Sequence, residues 1–181
     1  MKNLRNDVEK VLFTEVEIKA KIREIGAQVS IDYEDKEIIL VGVLKGSVPF
    51  MADLLREITI PCSMDFMAVS SYGNSTQTSG VVRILKDLDS HIENKNILIV
   101  EDIIDTGITL RYLVDYLKGR KPASIKIACL LDKPDRRKAD IKIDYFAFKA
   151  PDYFLVGYGL DYAQLYRNLP YIGILKKEIY E

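Results

Sequence analysis

Hydrophobic positions along the chain follow two periods, and together they predict alternating helices and strands. Residues 14–33 carry apolar side chains among charges at a spacing near 3.6, which indicates an amphipathic helix. Its apolar positions are Val16, Ala20, Ile22, Ile25 and Val29. The run EIILVGVL, residues 37–44, is apolar throughout, as is typical of a strand buried on both faces. The segment VPFMADLLREI follows, and its early proline suits the start of a helix.

The middle and end of the chain continue this alternation. Further strands are predicted at residues 62–70 and at the runs VVRIL, NILIV, SIKIACLL, DYFAFK, FLVGYGL and YIGIL. A helix is predicted from Thr109 to Lys118, ended by Gly119 and Pro122. SSYGNSTQTSG, residues 70–80, is rich in serine, threonine and glycine and predicts a loop. The charged run KPDRRK predicts a solvated turn, and its arginines are alternatively candidates for a subunit interface.

Alternating strands and helices predict βαβ units around a mostly parallel sheet, hence a single α/β domain. The aromatic-rich segment after Asp144 is expected to form a small subdomain on that sheet. In open α/β sheets, ligands bind beyond the carboxyl ends of the strands. The loops after VGVL, NILIV and ACLL are therefore the first places to look for a site.

Composition narrows the class of protein without giving its function. The 181 residues include 26 Lys and Arg and 27 Asp and Glu, so the formal charge is −1 and no basic footprint for nucleic acid exists. The opening MKNLRNDVEK has no apolar core of a secretory signal, and no apolar run approaches the ~20 residues of a membrane span. Two cysteines are expected to be free thiols in a reducing cytoplasm.

One stretch, ILIVEDIIDTGITL at residues 97–110, combines a strand, an acid pair and a glycine turn. Glu101 and Asp102 stand at the carboxyl end of the strand, where successive side chains point to opposite faces. Carboxylates there can accept hydrogen bonds from ribose hydroxyls or help to hold Mg²⁺. Two adjacent carboxylates repel each other, so the fold alone gives no reason for the pair.

The next residues, DTGIT, predict an anion site. Gly107 allows close backbone approach, and the free N–H groups of the first helical turn join the hydroxyls of Thr106 and Thr109. DTG by itself is more typical of a turn with a helix cap. Beside the acid pair, however, it indicates a sugar phosphate. The ATP-binding loop and the dinucleotide-binding glycine motif are both absent from the sequence.

ILIVEDIIDTGITL resembles the 5-phosphoribosyl 1-pyrophosphate (PRPP) motif of the type I phosphoribosyltransferases. Nearly the whole chain is similar to the hypoxanthine-guanine branch of that family. The further matches are GVLKGSVPFMADL, SSYGNSTQTSG, LLDKP and PDYFLVGYGLDYAQLYRNLPYIG. The resemblance implies the type I fold, a mostly parallel sheet flanked by helices. It also implies a small hood formed by the N-terminal segment and roughly residues 144–181 within one domain, 1–181.

The resemblance also implies roles for the residues that would bind PRPP. Asp105 would be the acid near purine N7, acting as general base or electrostatic partner. Glu101 and Asp102 would contact the ribose. Arg167 would contact pyrophosphate through its planar fork. The 5′-phosphate loop would comprise Asp105, Thr106, Gly107, Ile108 and Thr109.

LKGS, residues 44–47, resembles the pyrophosphate loop, with Lys45 and Gly46 as binding residues. Many members have a non-proline cis peptide before this lysine, which places one at Leu44–Lys45. Ser47 stands where many relatives have a second glycine. The motif alone would equally suit a strand-to-helix turn with a solvated lysine.

On the base side, Lys133 resembles the donor to purine O6, which suits a 6-oxopurine because an ammonium only donates hydrogen bonds. Phe154 resembles the ring that stacks on the purine, and Leu155 a residue whose backbone meets the base edge. Asp161 resembles a carboxylate associated with Mg²⁺, with Glu101 and Asp102 as further candidate ligands. Alternatives for these residues are an exposed lysine, a core ring and a surface aspartate.

Ser71 and Tyr72 begin a loop that resembles the mobile lid of the family, at residues 70–80. The implied function is Mg²⁺-dependent purine salvage, in which hypoxanthine or guanine and PRPP give IMP or GMP and pyrophosphate. A homodimer or homotetramer is implied, with no nucleic-acid or membrane partner. An alternative is a regulatory module that senses PRPP or nucleotides. An adenine-type transferase is disfavoured by Lys133.

Overall fold

The computed structural model describes residues 3–71 and 82–181. Tyr72 and most of the predicted lid at 70–80 lie outside these ranges. In chain order the strands and helices are β1 (Val8–Phe13), α1 (Glu15–Asp32), β2 (Ile38–Leu44), α2 (Val48–Glu57), β3 (Cys62–Ser71), β4 (Val82–Lys86), β5 (Asn96–Ile104), α3 (Ile108–Lys118), β6 (Ser124–Asp132), β7 (Tyr145–Lys149), β8 (Leu155–Val156), β9 (Ile172–Leu175) and α4 (Lys177–Tyr180). Short 3₁₀ turns at Leu4–Asp7 and Pro134–Arg136 complete the list.

Six strands form the main sheet in the order β4-β3-β2-β5-β6-β7. Every neighbouring pair is parallel except β3 and β4. The predicted mostly parallel sheet with flanking helices is therefore confirmed. Strands β2, β5 and β6 end at one edge, so the segments after Leu44, Ile104 and Asp132 meet there.

The apolar run of β2 is explained by cover on both faces of the sheet. Leu40 packs into a cluster that contains Ile22 of α1 and Phe50 of α2. Its neighbour Val41 packs into a second cluster, with Leu113 of α3. Because successive strand residues point to opposite faces, both sets must be apolar. The result is three layers, with α1 and α2 on one face and α3 on the other.

Helix α1 lies where the periodicity predicts it, but part of its predicted apolar face is wrong. Its buried face contains Ile18, Ile22, Ile25 and Val29. Val16 is 78% exposed and Ala20 is exposed as well, because each precedes a buried isoleucine by two positions and so points to the opposite side of the helix. Thr14 begins the helix with a capping box, in which its backbone N–H donates to Glu17 Oε2 at 2.8 Å.

A second sheet joins the two ends of the described chain in the antiparallel order β1-β9-β8. We call these three strands and the loop at residues 157–171 the hood. Tyr166 donates from its hydroxyl to Asp7 Oδ2 at 2.8 Å, and burial raises its pKa to about 12. Tyr158 donates to Asp53 Oδ2 on α2 at 2.5 Å, which fixes the hood to the main layers. Strand β7, although it follows Asp144, pairs with β6 in the main sheet.

Within the described ranges, no helix is long and apolar enough to cross a membrane. Cys62 and Cys129 are both free, as their surroundings in the sequence predict. Burial raises the pKa of each thiol. Cys62 begins β3 at the opposite end of the sheet, whereas Cys129 is buried in β6 in register with Glu101.

Candidate active site

The acid pair, Glu101 and Asp102, lies near the carboxyl end of β5, and the two side chains face different cavities. Glu101 lines a cavity of about 180 Å³ that also contains Thr106, Gly107 and Thr109. Asp102 lines a larger cavity of about 580 Å³, shared with Asp105. The predicted division of the pair between two faces is what strand geometry produces.

Both carboxyl groups of the pair are costly to ionise. Burial, followed by the charge of Asp102, raises the pKa of Glu101 well above its ordinary value, and Oε2 has no hydrogen-bond partner among the described residues. Burial raises the pKa of Asp102 to about 6, although the backbone N–H of Ile103 donates to Oδ1 at 2.9 Å. Because buried polar atoms are normally paired, this arrangement suits an arriving cation or hydroxyl group.

The turn after β5 is shaped as an anion cradle. Gly107 has φ +77° and is the N-cap of α3, so the N-cap residue has no side chain to cap the first-turn N–H groups. The Ile108 N–H donates weakly to the Thr106 hydroxyl at 3.5 Å. The carbonyl of Thr106 accepts from the N–H groups of Lys138 and Ala139 at 2.9 and 3.0 Å. These bonds direct the carbonyl away from the cradle, which leaves N–H groups and hydroxyls to face an anion.

Strand β2 ends in a loop that contacts the acid pair directly. The Leu44–Lys45 peptide is cis, as expected. A Cβ added at Gly46 would overlap the carboxylate of Asp102, so the glycine is required by that side chain as well as by any ligand. Ser47 adopts an ordinary right-handed conformation, and its hydroxyl donates to the carbonyl of Val43 at 2.6 Å. Ser47 therefore stabilises the turn without needing glycine's freedom.

The hood closes over this loop through a second glycine, which the sequence analysis did not identify. Gly159 has φ +100°, and a Cβ there would overlap the carbonyl oxygen of Gly46. The Gly159 carbonyl accepts from Arg167 Nη1 at 2.6 Å. The available signal in the sequence is the pair of glycines that flank Tyr158.

Arg167 and Asp161 form one ion pair, with Arg167 Nη2 and Asp161 Oδ1 2.7 Å apart. Gln164 Oε1 accepts from Lys45 Nζ at 3.4 Å and from Arg167 Nη2 at 3.3 Å. The structure therefore brings the predicted pyrophosphate residues Lys45 and Arg167 together through a shared amide. Gln164 was also missed from the sequence, because it contacts Lys45 across 119 positions of the chain.

The larger cavity is bounded on its other side by the predicted base-binding residues. Lys133 is only 8% exposed, and its Nζ donates to the carbonyl of Tyr153 at 2.9 Å. Its Nζ also lies 3.5 Å from Asp152 Oδ1. Phe154 and Leu155 line the same cavity, with the Phe154 ring 37% exposed. Lys133 is therefore not the exposed turn lysine that the motif DKP alone would favour.

KPDRRK forms a turn with mostly exposed residues, as predicted, but its two arginines also contact the site. Arg136 Nε lies 2.6 Å from Asp105 Oδ1 without hydrogen-bond alignment, and its Nη1 donates to Asp152 Oδ1 at 3.1 Å. Arg137 pairs with Asp132 and donates from Nε to the carbonyl of Asp105 at 3.3 Å. The 3₁₀ turn Pro134–Arg136 places Arg137 against Asp132 and leaves the exposed side chain of Arg136 at the rim of the cavity, beside Asp105.

The three predicted metal ligands lie near one another without forming a preformed cage. In the part of the chain that the structure describes, no cluster of three or more His, Cys, Asp or Glu side chains has metal-binding geometry. Asp102 and Asp161 line the same cavity, whereas Glu101 faces the other one. Mg²⁺ commonly takes one or two carboxylates and completes its shell with water and substrate phosphates, which agrees with this arrangement.

Comparison with known proteins supports a single assignment. Residues 12–163 match the phosphoribosyl transferase domain family. Over 98% of this chain and 99% of the relative, the sequence is 58% identical to the hypoxanthine-guanine phosphoribosyltransferase of Bacillus subtilis. The enzyme of that name from Streptococcus mutans is 54% identical, with 98% of each chain covered. A hypoxanthine phosphoribosyltransferase structure from Staphylococcus aureus superposes with a TM-score of 0.96, at 53% identity, over 98% of this chain and 97% of that one.

Proposed function

The chain belongs to the phosphoribosyl transferase family, and we propose how its two cavities divide one reaction. The reaction is purine salvage, in which hypoxanthine or guanine and PRPP give IMP or GMP and pyrophosphate. One observation carries the proposal: Asp102, Asp105, Lys133 and Phe154 line a single cavity of about 580 Å³. That cavity adjoins the anion cradle of Thr106–Thr109, so a sugar phosphate and a base fit side by side.

In this proposal the cradle at Asp105–Thr109 holds the 5′-phosphate, and Glu101 and Asp102 accept hydrogen bonds from the ribose hydroxyls. Pyrophosphate lies between Lys45, Gly46 and Arg167. The side chain of Glu101 has a buried oxygen without a hydrogen-bond partner among the described residues. A ribose hydroxyl that donates to this oxygen would make the free energy of binding more favourable. The PRPP site is thus built from groups that need a ligand.

Asp105 acts on the purine. As N9 attacks C1′ and the C1′–pyrophosphate bond breaks, the purine gains positive charge, which the Asp105 carboxylate stabilises by taking or holding the N7 proton. Lys133 donates to O6, Phe154 stacks on the ring, and the backbone of Leu155 contacts the base edge. The 46%-exposed guanidinium of Arg136 holds Asp105 at the open side of the cavity.

Mg²⁺ is the proposed cofactor. Asp102, Asp161 and Glu101 supply the hard carboxylate oxygens that it prefers, and the raised pKa of Asp102 is the kind of cost that a cation offsets. Bound Mg²⁺ would offset the charge that develops on the leaving pyrophosphate. Within the chain, Arg167 holds Asp161 in place, and Gly46 allows Asp102 to lie against the pyrophosphate loop.

We also propose that residues 1–181 act as one phosphoribosyltransferase domain with the hood as its cover, in a cytoplasmic homodimer or homotetramer. Exposed apolar side chains such as Phe146, on the edge strand β7, support association between copies. The lid at 70–80, beginning at Ser71 and Tyr72, remains a prediction. Its chemical purpose would be to exclude water from C1′ during transfer.

The direct test is to mix the protein with PRPP and Mg²⁺ and to follow nucleotide formation with hypoxanthine, guanine, xanthine and adenine separately. We expect IMP and GMP, with adenine inert because the Lys133 ammonium cannot accept a hydrogen bond from the 6-amino group. Binding of PRPP without turnover of any 6-oxopurine would favour the regulatory module instead.

A further inference from the structure

Tyr180, in the short C-terminal helix α4, contacts the base-binding side of the cavity. Its ring stacks on Phe154, with centroids 4.7 Å apart and planes inclined by 23°. The same tyrosine lines the cavity that contains Asp105 and Lys133. Tyr180 lies 26 positions after Phe154, and no motif in the sequence assigns it a role.

The path of the chain fixes this contact. In the hood, Leu155 of β8 pairs with Ile174 of β9, and the N–H of Leu175 donates to the carbonyl of Phe154 at 2.9 Å. After Lys176 the chain turns into α4, where the N–H of Ile179 donates to the Lys176 carbonyl at 3.1 Å. This turn places Tyr180 against Phe154, the residue whose carbonyl is bonded to the end of β9.

Phe154 is held by aromatic rings in two directions. Tyr162 meets it edge-on, with centroids 5.6 Å apart and planes at 87°, while Tyr180 stacks on it with nearly parallel planes. Both geometries are favourable for aromatic pairs. The backbone at Phe154 is anchored, but a phenylalanine side chain that is 37% exposed needs neighbours to fix its ring plane.

We propose that Tyr180 is a positioning residue for the purine. By stacking on Phe154 it fixes the orientation of the ring against which the base lies, so the end of α4 completes the base site. The inference rests on the proposed function, since it needs Phe154 to stack on the purine. The ring supplies the contact, and the phenol hydroxyl has no part in it.

Steady-state kinetics with hypoxanthine and with PRPP test the inference. For Tyr180→Leu we expect KM for hypoxanthine to rise about tenfold, within the range of aromatic pair energies. KM for PRPP and kcat should stay within twofold. Tyr180→Phe, which keeps the ring, should behave as the parent protein. An unchanged hypoxanthine KM in Tyr180→Leu, or an equal rise in both KM values, would overturn the proposal.

A fall in the hypoxanthine KM of Tyr180→Leu would also overturn it, because the tyrosine ring would then be occupying the purine's place. The variant Phe154→Leu distinguishes failure of the role of Tyr180 from failure of the stacking role of Phe154. If Phe154→Leu raises the hypoxanthine KM and Tyr180→Leu does not, only the role of Tyr180 fails. If Phe154→Leu has no effect, the proposed stacking role of Phe154 fails as well.

A binding measurement supplies a readout independent of turnover. The chain contains no tryptophan, so Tyr180→Trp introduces a single indole next to Phe154. We expect IMP to change its fluorescence saturably and ribose 5-phosphate, which lacks the base, to change it much less. Equal responses to the two ligands, or no response to IMP at concentrations that inhibit turnover, would contradict a place for Tyr180 beside the base.

Discussion

The two sides of the site are built in opposite ways. The sugar-facing side, from Glu101 to Thr109, is one continuous strand, turn and helix start, and its carboxylates are buried with few partners. The base-facing side brings together Lys133, Arg136, Asp152–Leu155 and Tyr180 from separate segments. Its charges are already paired with one another, since Asp152 contacts both Arg136 and Lys133.

This difference indicates what each ligand must do. At the sugar-facing side a ligand supplies donors and positive charge that the chain itself lacks, so binding relieves a cost already present. At the base-facing side the purine must share Lys133 with the carbonyl of Tyr153 and Asp105 with Arg136. Substitution of a side chain should therefore have different consequences for activity and stability on the sugar-facing and base-facing sides.

The largest effect is expected where the two sides meet, at Asp105. Asp105→Asn keeps the shape but removes the negative charge, and kcat should fall about 10²- to 10³-fold, as for other lost acid–base groups. The KM for PRPP should change little. Initial rates with hypoxanthine at varied PRPP measure both constants.

The matched control is Asp152→Asn, because Asp152 is the other carboxylate that Arg136 contacts in the same cavity. It should leave kcat within a few-fold of the parent protein. Equal losses in the two variants would mean that the Arg136 network, rather than a carboxylate at the purine, carries the effect.

A smaller loss is expected from Lys133→Ala, which acts on the base-facing side alone. A charge-assisted hydrogen bond contributes about 1.5–3 kcal/mol, so kcat/KM for hypoxanthine should fall about 10- to 100-fold. The KM for PRPP should be unchanged. Lys138→Ala, an exposed lysine of the same loop, serves as the control. Unaltered hypoxanthine kinetics would leave Lys133 as a structural lysine.

Gly159→Ala tests the contact that joins the hood to the pyrophosphate loop. At φ +100° a side chain is strained, and its Cβ would overlap the Gly46 carbonyl, so the free energy of unfolding should fall by about 1–3 kcal/mol. Urea denaturation measures it. Gly119→Ala, at a helix end with φ −59°, should cost much less. If the two variants were equally stable, the backbone contact would not constrain the hood.

Asp102→Asn should change the free energy of unfolding by an amount similar to that of Gly159→Ala but in the opposite direction, because it should be stabilising. The pKa of Asp102 is about 6 in the folded protein, against about 3.9 for an unfolded chain. The folded state therefore binds more protons between those values, and the free energy of unfolding falls as pH rises through that window. Without Mg²⁺ or PRPP, the variant should be more stable than the parent by about 1–3 kcal/mol at pH 7.

The difference in stability between variant and parent should vanish well below pH 4, where Asp102 of the parent is protonated in both the folded and the unfolded state. Urea denaturation of the parent and the variant at a series of pH values measures the difference, because residue 102 of the variant is an asparagine that stays uncharged at every pH. A gap that is independent of pH would show that the burial of the Asp102 charge is not its cause. The result would weaken the contrast between an unsatisfied sugar side and a satisfied base side.

Features built from residues adjacent in the chain were predicted from the sequence, whereas features that need long-range contacts were not. Strand β5, the turn at Gly107 and α3 adjoin one another in the chain, so a pattern of about fourteen residues contains the whole anion cradle. Strand β9 was predicted from the run YIGIL, but its partner β1 was not, because β1 lies more than 150 positions away and has no strong pattern of its own.

Long-range contacts also explain the residues that were missed around the site. In the sequence Arg136 cannot be told from other surface residues, and its contact with Asp105 appears only when its turn is placed beside β5. Tyr180 likewise belongs to a terminal segment, and it reaches Phe154 only because α4 folds back onto that residue. The error at Val16 is of another kind. It came from counting apolar residues without checking that they fall on one helical face.

The contact between Gly46 and Gly159 has a consequence for how the sequence can vary. Each lacks a side chain because another group lies where its Cβ would be: the Asp102 carboxylate at 46, and the carbonyl oxygen of Gly46 at 159. A saturation library should therefore tolerate only glycine at both positions. Because the obstacle at 159 is backbone, no single compensating substitution elsewhere can create room for it. Position 159 should therefore be among the positions where the chain is least able to diverge, together with Gly157, where a Cβ would overlap the carbonyl oxygen of Tyr171.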